Sequence, residues 1–298
     1  MRQLSLLEKD YSNNDRIVII HADDIGMCQS SVQAFADLWS SGMVTSGTLM
    51  TPCAWFPAAA QMCRENPEMD MGVHVTLNAE WTSYRWGPVS TRDQASGLMD
   101  ADGYFPQSRA DVYQNANPLA VAVEVHAQAA QAFAAGVDVS HVDSHMGTVL
   151  NPKFIESYVQ AAQERSLPAM LPRMDAVGFE LFNFDTQALK NYEQILERVE
   201  LRGGLTLNGV MMMPLDQPTD QMETAKKLLG GLPQGITHFI FHPAVDTPEL
   251  RAICLDWQSR VENYRTFMND DLKKFVESEN IKLIGYRTIR DAMRNKND

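Results

Sequence analysis

Two rhythms of hydrophobic and polar residues alternate along the chain. Short apolar runs rich in β-branched side chains are separated by longer stretches in which apolar residues recur every three or four positions. The runs at 16–22, 46–50, 70–77, 139–145, 168–173, 207–213, 237–242 and 281–285 predict strands, and the stretches between them predict helices. Boundary residues support several of those helices. Gly42 follows the pattern Val32, Phe35, Leu38, Trp39; Asn117-Pro118 opens a run that Gly136 closes; Asn151-Pro152 opens the next. Strands and helices in alternation predict an α/β fold, an irregular (β/α) barrel that is TIM-barrel-like. A doubly wound sheet fits less well, because no glycine-rich dinucleotide turn follows the first run.

No low-complexity linker, charge block or repeat breaks the alternation, so a single domain over 1–298 is expected. The segment at about 78–116 stands apart. It shows no helical period, carries Trp81, Tyr84, Trp86, Tyr104 and Phe105, and is longer than an ordinary βα connection, as functional loops often are.

The first run shows where chemistry enters. Ile17, Val18, Ile19 and Ile20 read as a strand covered on both faces, which delivers His21, then Asp23 and Asp24, and stops at Gly26. Ligands of such folds gather beyond the carboxyl ends of the strands, where this acidic pair falls. Taken alone, an Asp-Asp pair is more often a solvated helix cap. Two later runs add imidazoles: His74 within Gly72–Leu77, and His141, Asp143 and His145, whose period of two puts them on one strand face. Such a face is hard to bury in an apolar core, since each group needs a partner; the alternative is a hydrogen-bonded ladder at an exposed edge. Two His and one carboxylate are usual ligands of a catalytic divalent metal that keeps an open position for water.

The strings His21-Ala22-Asp23-Asp24-Ile25-Gly26, Gly72-Val73-His74-Val75-Thr76-Leu77, His141-Val142-Asp143-Ser144-His145 and Phe241-His242-Pro243, in that order over roughly residues 16–290, resemble the YdjC-like carbohydrate deacetylase family, including its chitooligosaccharide deacetylases. The resemblance implies an irregular β/α barrel and metal-dependent hydrolysis of an N-acetyl group from an amino sugar or oligosaccharide. By position it implies Asp24, His74 and His145 as metal ligands, Asp23 as general base, and His242 as general acid or oxyanion partner. Where many members continue the third motif with further histidines, this chain has Met146-Gly147-Thr148, and the 78–116 segment is long; both bear on substrate choice.

The chemistry is expected from one divalent metal ion, Zn²⁺ favoured by the His ligands, with Mg²⁺ or Mn²⁺ compatible. A bound Zn²⁺ lowers the pKa of water from 15.7 to about 7, and a neighbouring carboxylate takes the remaining proton, typically a 10²–10⁴-fold contribution. His21, His141 and Asp143 are assigned to hydrogen bonding around the metal ligands, and Arg173 to a carboxylate such as Asp23 or to substrate. Trp81, Tyr84 and Trp86 are assigned to sugar stacking. His126 and His238 read as structural, and Met211-Met212-Met213 as core strand.

Composition narrows the partners. Lys plus Arg is 25 against 38 Asp plus Glu, a net charge of −13, which repels nucleic acid and anionic membranes. Leu4, Leu6 and Leu7 are interrupted by Glu8, Lys9 and Asp10, so no leader or spanning segment is expected and the protein reads as cytoplasmic. The expected partner is a small carbohydrate, and a homodimer is allowed. Cys28, Cys53, Cys63 and Cys254 have no C-x-x-C spacing and read as buried free thiols. Two rivals stay open: a barrel metal phosphoesterase, which needs two or more metals, and a non-catalytic sugar-binding barrel.

Overall fold

The computed structural model describes Leu7 and residues 11–12, 14–173 and 186–295. Leu4 and Leu6 of the N-terminal stretch lie outside the described residues. Seven parallel strands form one sheet: β1 (Arg16–Ile25), β2 (Ser46–Leu49), β3 (Met71–Val75), β4 (Val139–Ser144), β5 (Gly209–Met212), β6 (Gly235–Phe241) and β7 (Lys282–Leu283). The order is β4-β3-β2-β1-β6-β5, with β7 paired to β1. β1 is long enough to serve three partners. β6 runs along it from Arg16 to Ala22, β7 takes Ile17 and Val18, and β2 takes His21 onward.

The predicted strand at 168–173 does not form as a strand. Two single bridges replace it, Val142 to Ala169 and Pro172 to Leu207. Those bridges still connect β4 to the segment leading into β5, so the pairings return to their start and the wall closes as an irregular barrel. Pro168 and Pro172 offer no N–H to a ladder, which is a physical reason for bridges in place of a strand there.

Helices pack outside this wall: α1 (Gln29–Ser41), α2 (Phe56–Glu65), α3 (Arg109–Asn115), α4 (Pro118–Ala134), α5 (Ile155–Gln163), α6 (Thr186–Leu201), α7 (Gln221–Gly230), α8 (Pro248–Ile253), α9 (Trp257–Phe267), α10 (Asp270–Ser278) and α11 (Tyr286–Asn295). Asn117 caps α4 as its sequence predicts, accepting from the Leu119 N–H. Asn151 accepts from the Lys153 N–H, but α5 begins only at Ile155. The segment 78–116 is less irregular than its composition predicts, since it contains a short 3₁₀ turn at Gln94–Ser96 and α3. Of the methionine run, Met213 lies in the core, Met211 packs half-buried against it and Met212 is exposed on β5. All four cysteines are buried and free. Among the described residues no helix is long and apolar enough to cross a membrane.

Candidate active site

Where β1 ends, its backbone departs from strand geometry. Asp24 has φ 63°, in the left-handed region, and the register against β2 shifts between Ala22 and Ile25. In a regular strand the side chains of Asp23 and Asp24 would point to opposite faces. Here both reach one point: His74 Nε2 lies 3.6 Å from Asp23 Oδ2 and 3.4 Å from Asp24 Oδ1. The left-handed backbone of one residue thus brings the neighbouring carboxylates together. A left-handed non-glycine residue at such a place is a strain held by the surrounding structure.

Asp24 Oδ1, His74 Nε2 and His145 Nδ1 converge. His145 Nδ1 is 3.1 Å from Asp24 Oδ1, and the two imidazoles meet edge to face with centroids 5.2 Å apart. Asp24 Oδ1 and His74 Nε2 are buried and make no hydrogen bond among the described residues. A tetrahedral ion with bonds of about 2.0–2.2 Å separates its ligands by about 3.3–3.6 Å. The triad has a donor set and spacing that fit a divalent cation, which would satisfy the buried atoms that the protein leaves bare.

The atoms facing away from that point are held. Arg260, from α9, donates from Nη1 to Asp24 Oδ2 at 2.8 Å and from Nε to Asp256 Oδ1 at 3.0 Å, so Oδ1 is the oxygen left for the triad. His145 Nε2 lies 3.0 Å from Glu80 Oε2, and His74 Nδ1 lies 3.1 Å from Thr48 Oγ1 and 3.6 Å from Asp143 Oδ2. Arg260 and Glu80 escape sequence reading. Arg260 sits in an ordinary amphipathic helix more than 200 residues after Asp24, and nothing local marks it. Glu80 had a signal, as a carboxylate opening the long loop just past the His74 strand.

Electrostatics follow from burial against these charges. Burial alone would raise the Asp24 carboxyl, but His145 and Arg260 hold it well below the usual carboxylate range. Burial pushes Asp23 up to about 6, against the pull of His74. Burial would lower the imidazoles of the triad; the nearby Asp23, Asp143 and Asp24 carboxylates hold His74 well above the ordinary value, and Glu80 with Asp24 push His145 up to about 9. A cation bound at the triad would take the place of any proton on its ligand nitrogens. Burial lowers His242, whose Nε2 lies 3.9 Å from Asp23 Oδ2.

Other expectations are redistributed. His21 and His141 do not touch the triad: His21 Nδ1 lies 2.7 Å from Asp23 Oδ1, and its Nε2 lies 2.9 Å from His141 Nε2. His238 joins them in the barrel interior, its ring 4.4 Å from that of His21, so it is part of this polar layer. Arg173 is far from its expected partner; it is exposed and pairs with Glu200. His126 pairs at the surface with Glu164. Trp86 is buried and donates to the Asn78 carbonyl, which takes it away from sugar stacking, while Tyr84 donates to the Met27 carbonyl. Trp81 is half-buried, with the Arg260 guanidinium over its ring at 5.4 Å. After His145 the chain turns through left-handed Met146 and Gly147 and exposes Met146.

The chain is similar along nearly its whole length to proteins called carbohydrate deacetylase. That of Thermus thermophilus is 28% identical over 290 residues, 97% of this chain and 100% of the relative. That of Thermoanaerobacter pseudethanolicus is 23% identical over 275 residues, 92% and 100%. A chitooligosaccharide deacetylase of Yersinia enterocolitica is 30% identical over 166 residues, 54% of this chain and 62% of its own. A crystal structure from Enterococcus faecalis, named provisionally for cellobiose-phosphate cleavage, shares the fold at TM-score 0.77 and 22% identity, covering 92% of this chain and 98% of that one. The sequence profile described as YdjC-like protein matches residues 17–278, and with that match over most of its length the chain belongs to the YdjC-like family.

Proposed function

We propose that this protein is a metal-dependent carbohydrate deacetylase that hydrolyses the N-acetyl group of an acetylated amino sugar or oligosaccharide. The observation that carries the reading is the convergence of Asp24 Oδ1, His74 Nε2 and His145 Nδ1, two of those atoms buried without a hydrogen bond, beside a second carboxylate free to act as a base. Similarity to proteins called carbohydrate deacetylase supports the substrate class.

Asp24, His74 and His145 would hold one divalent ion, Zn²⁺ before Mg²⁺ or Mn²⁺ because two of three ligands are imidazoles. Such an ion supplies Lewis acidity, making water nucleophilic at neutral pH and polarising the acetamide carbonyl. The chain's own residues do the proton work. Asp23 Oδ1 is taken by His21, so Oδ2 is the oxygen that accepts the proton of the attacking water. Water oxygen bonds to the acetyl carbon, the C–N bond breaks, and the amine leaves with a proton returned by way of Asp23 or His242, which lie 3.9 Å apart. Burial lowers the pKa of His242, which favours the neutral imidazole, a form suited to donating an N–H to the developing oxyanion. The 78–116 segment supplies one wall of the cleft, with Trp81 as its aromatic contact.

A phosphoesterase reading requires a second metal. The remaining cluster, His21, Asp23, Asp143 and His238, is a poor host, since His21 Nδ1 and Asp23 Oδ1 stand 2.7 Å apart, at hydrogen-bond distance and closer than two ligands of one ion. Incubating the metal-loaded protein with N-acetylglucosamine oligomers and other acetylated amino sugars, while measuring acetate release and metal per chain, tests the proposal. Acetate release with one metal per chain is expected. No acetate from any of them, or phosphate release from phosphomonoesters with two metals bound, overturns it.

A further inference from the structure

From Asp23 a line of polar side chains runs into the barrel interior, and beyond His21 the reaction as described leaves it unused. Asp23 Oδ1 contacts His21 Nδ1 at 2.7 Å, His21 Nε2 contacts His141 Nε2 at 2.9 Å, and His141 Nδ1 contacts Ser140 Oγ at 2.8 Å. His21, His141 and Ser140 are fully buried. The His141 ring is also clamped. It stacks on Tyr286 with centroids 3.8 Å apart and planes 12° apart. On another side it packs on Gly72, where an added Cβ would come within 2.5 Å of the ring. Glycine at position 72 is what makes the slot for this imidazole.

We propose that His141 is a positioning residue for the reaction, acting through His21 to fix which oxygen of Asp23 is held and which is free. The proposal rests on the reading of Asp23 as the general base. Its content is a direction for every proton in the line. A carboxylate only accepts, so His21 carries its proton on Nδ1 and donates to Asp23 Oδ1. A neutral His21 then has a bare Nε2, so the proton in the imidazole–imidazole contact belongs to His141 Nε2. His141 Nδ1 is then bare and faces the Ser140 hydroxyl at 2.8 Å, a hydroxyl that also contacts Asp70. Burial favours the neutral form of both rings, lowering His21 to about 4 and His141 well below its ordinary value.

Reverse any one proton and the line fails. With the proton on His21 Nε2, a bare Nδ1 would face the Asp23 carboxylate, two acceptors at 2.7 Å, and the carboxylate would rotate or lose its hold. His141 prevents this by donating to His21 Nε2. The line therefore leaves Asp23 Oδ2 as the free oxygen, directed toward His74 at 3.6 Å and His242 at 3.9 Å, where substrate chemistry would take place.

The test joins a spectrum to kinetics, both on the metal-loaded full chain. Proton–nitrogen correlation spectra of protein labelled at histidine nitrogen report which ring nitrogen of His21 bears hydrogen; assignment follows from the signals lost in a His21→Asn variant. The expected result is hydrogen on Nδ1 of His21 and on Nε2 of His141. His141→Leu, which keeps an apolar filling against Tyr286 but cannot donate, should lower kcat about 100-fold with KM changed by less than about twofold and metal content unchanged. His141→Gln, whose amide can donate from the position of the ring Nε2, should restore kcat to within about fivefold of wild type. The proposal is overturned by hydrogen on Nε2 of His21, by equal losses in the Leu and Gln variants, or by a Leu variant as active as wild type. If the Leu variant does not fold, the wild-type spectrum and the Gln variant still decide. If wild-type protein releases acetate from no sugar, the proposed function fails, and the spectrum separately decides the direction of the line.

Discussion

Among the described residues the protein buries two clusters of histidine and aspartate in one barrel, and they hold their polar atoms differently. In the upper cluster, Asp24 Oδ1, His74 Nε2 and His145 Nδ1 turn toward a common point while Arg260, Thr48 and Glu80 occupy their other sides. In the lower cluster both nitrogens of His21 already have partners, Asp23 and His141. Asp143 Oδ2 and His238 Nε2 are left without hydrogen bonds, 3.7 Å apart, but His21 cannot join them as a ligand without giving up its hold on Asp23. The comparison teaches that residue type does not separate a candidate metal centre from a polar core. Asp143 and His238 also keep one bare atom each; what sets the lower cluster apart is that both nitrogens of His21 are engaged, whereas each side chain of the upper triad keeps one atom turned to the common point.

The strongest way to break this comparison is to remove one carboxylate from the upper site and then its neighbour. Asp24→Asn takes away an anionic ligand and should lose bound metal, with activity falling at least about 10³-fold. Asp23→Asn should keep the metal and leave KM nearly unchanged while kcat falls about 10²–10⁴-fold. Elemental analysis beside steady-state kinetics reads both, and metal loss in the Asp23 variant would exchange the two roles. Counting sites sharpens the same point. Calorimetric titration of chelator-stripped protein with Zn²⁺ should give one tight site per chain, and a second tight site would mean that the lower cluster also binds.

Smaller effects probe how each cluster is held. Arg260→Met frees Asp24 Oδ2 and should weaken metal affinity about 10–100-fold, measured by competition with a chromophoric chelator. Unchanged affinity would reduce Arg260 to a packing role. The pH dependence has a definite sign. A base must be a carboxylate, and burial raises Asp23 to about 6, so kcat/KM should fall about tenfold per unit as pH drops below about 6. A profile level from about pH 7 to about pH 4 would remove carboxylate catalysis from the rate-limiting step. Least of all, Trp81→Ala should raise KM about three- to tenfold with metal content unchanged, the loss of one aromatic face from the cleft. Unchanged KM on every active substrate would move the cleft wall away from 78–116.

The predicted strand at 168–173 and the predicted ligands show how far local pattern reaches. Seven of the eight apolar runs became strands because each is rich in apolar, β-branched residues and bounded by turn signals, and those properties belong to the residues themselves. The eighth shares the apolar character, yet Pro168 and Pro172 limit its hydrogen bonds to two bridges, so its place in the wall depends on what β4 and the segment before β5 present to it.

The site divides along the same line. Period two along β4 put His141 and Asp143 in one inward row, while His145 opens the 3₁₀ turn just past the strand, and the acidic pair at the end of β1 was visible as a place where a buried strand delivers charge. Regular strand alternation would send Asp23 and Asp24 to opposite faces; a left-handed Asp24, at the register shift against β2 and with its Oδ2 held by Arg260, brings them together. Arg260 and Glu80 gain meaning only from distances to Asp24 and His145, while Arg173 and Trp86 lose their expected roles once their partners are known. Periodicity and side-chain chemistry are properties of neighbours in the chain, so the sequence by itself determined the barrel class, the strand ends and the kinds of ligand. Which oxygen of each aspartate stays bare, and which imidazoles turn to the candidate metal site and which face each other, depends on groups far apart in the chain, so only the tertiary structure decided it.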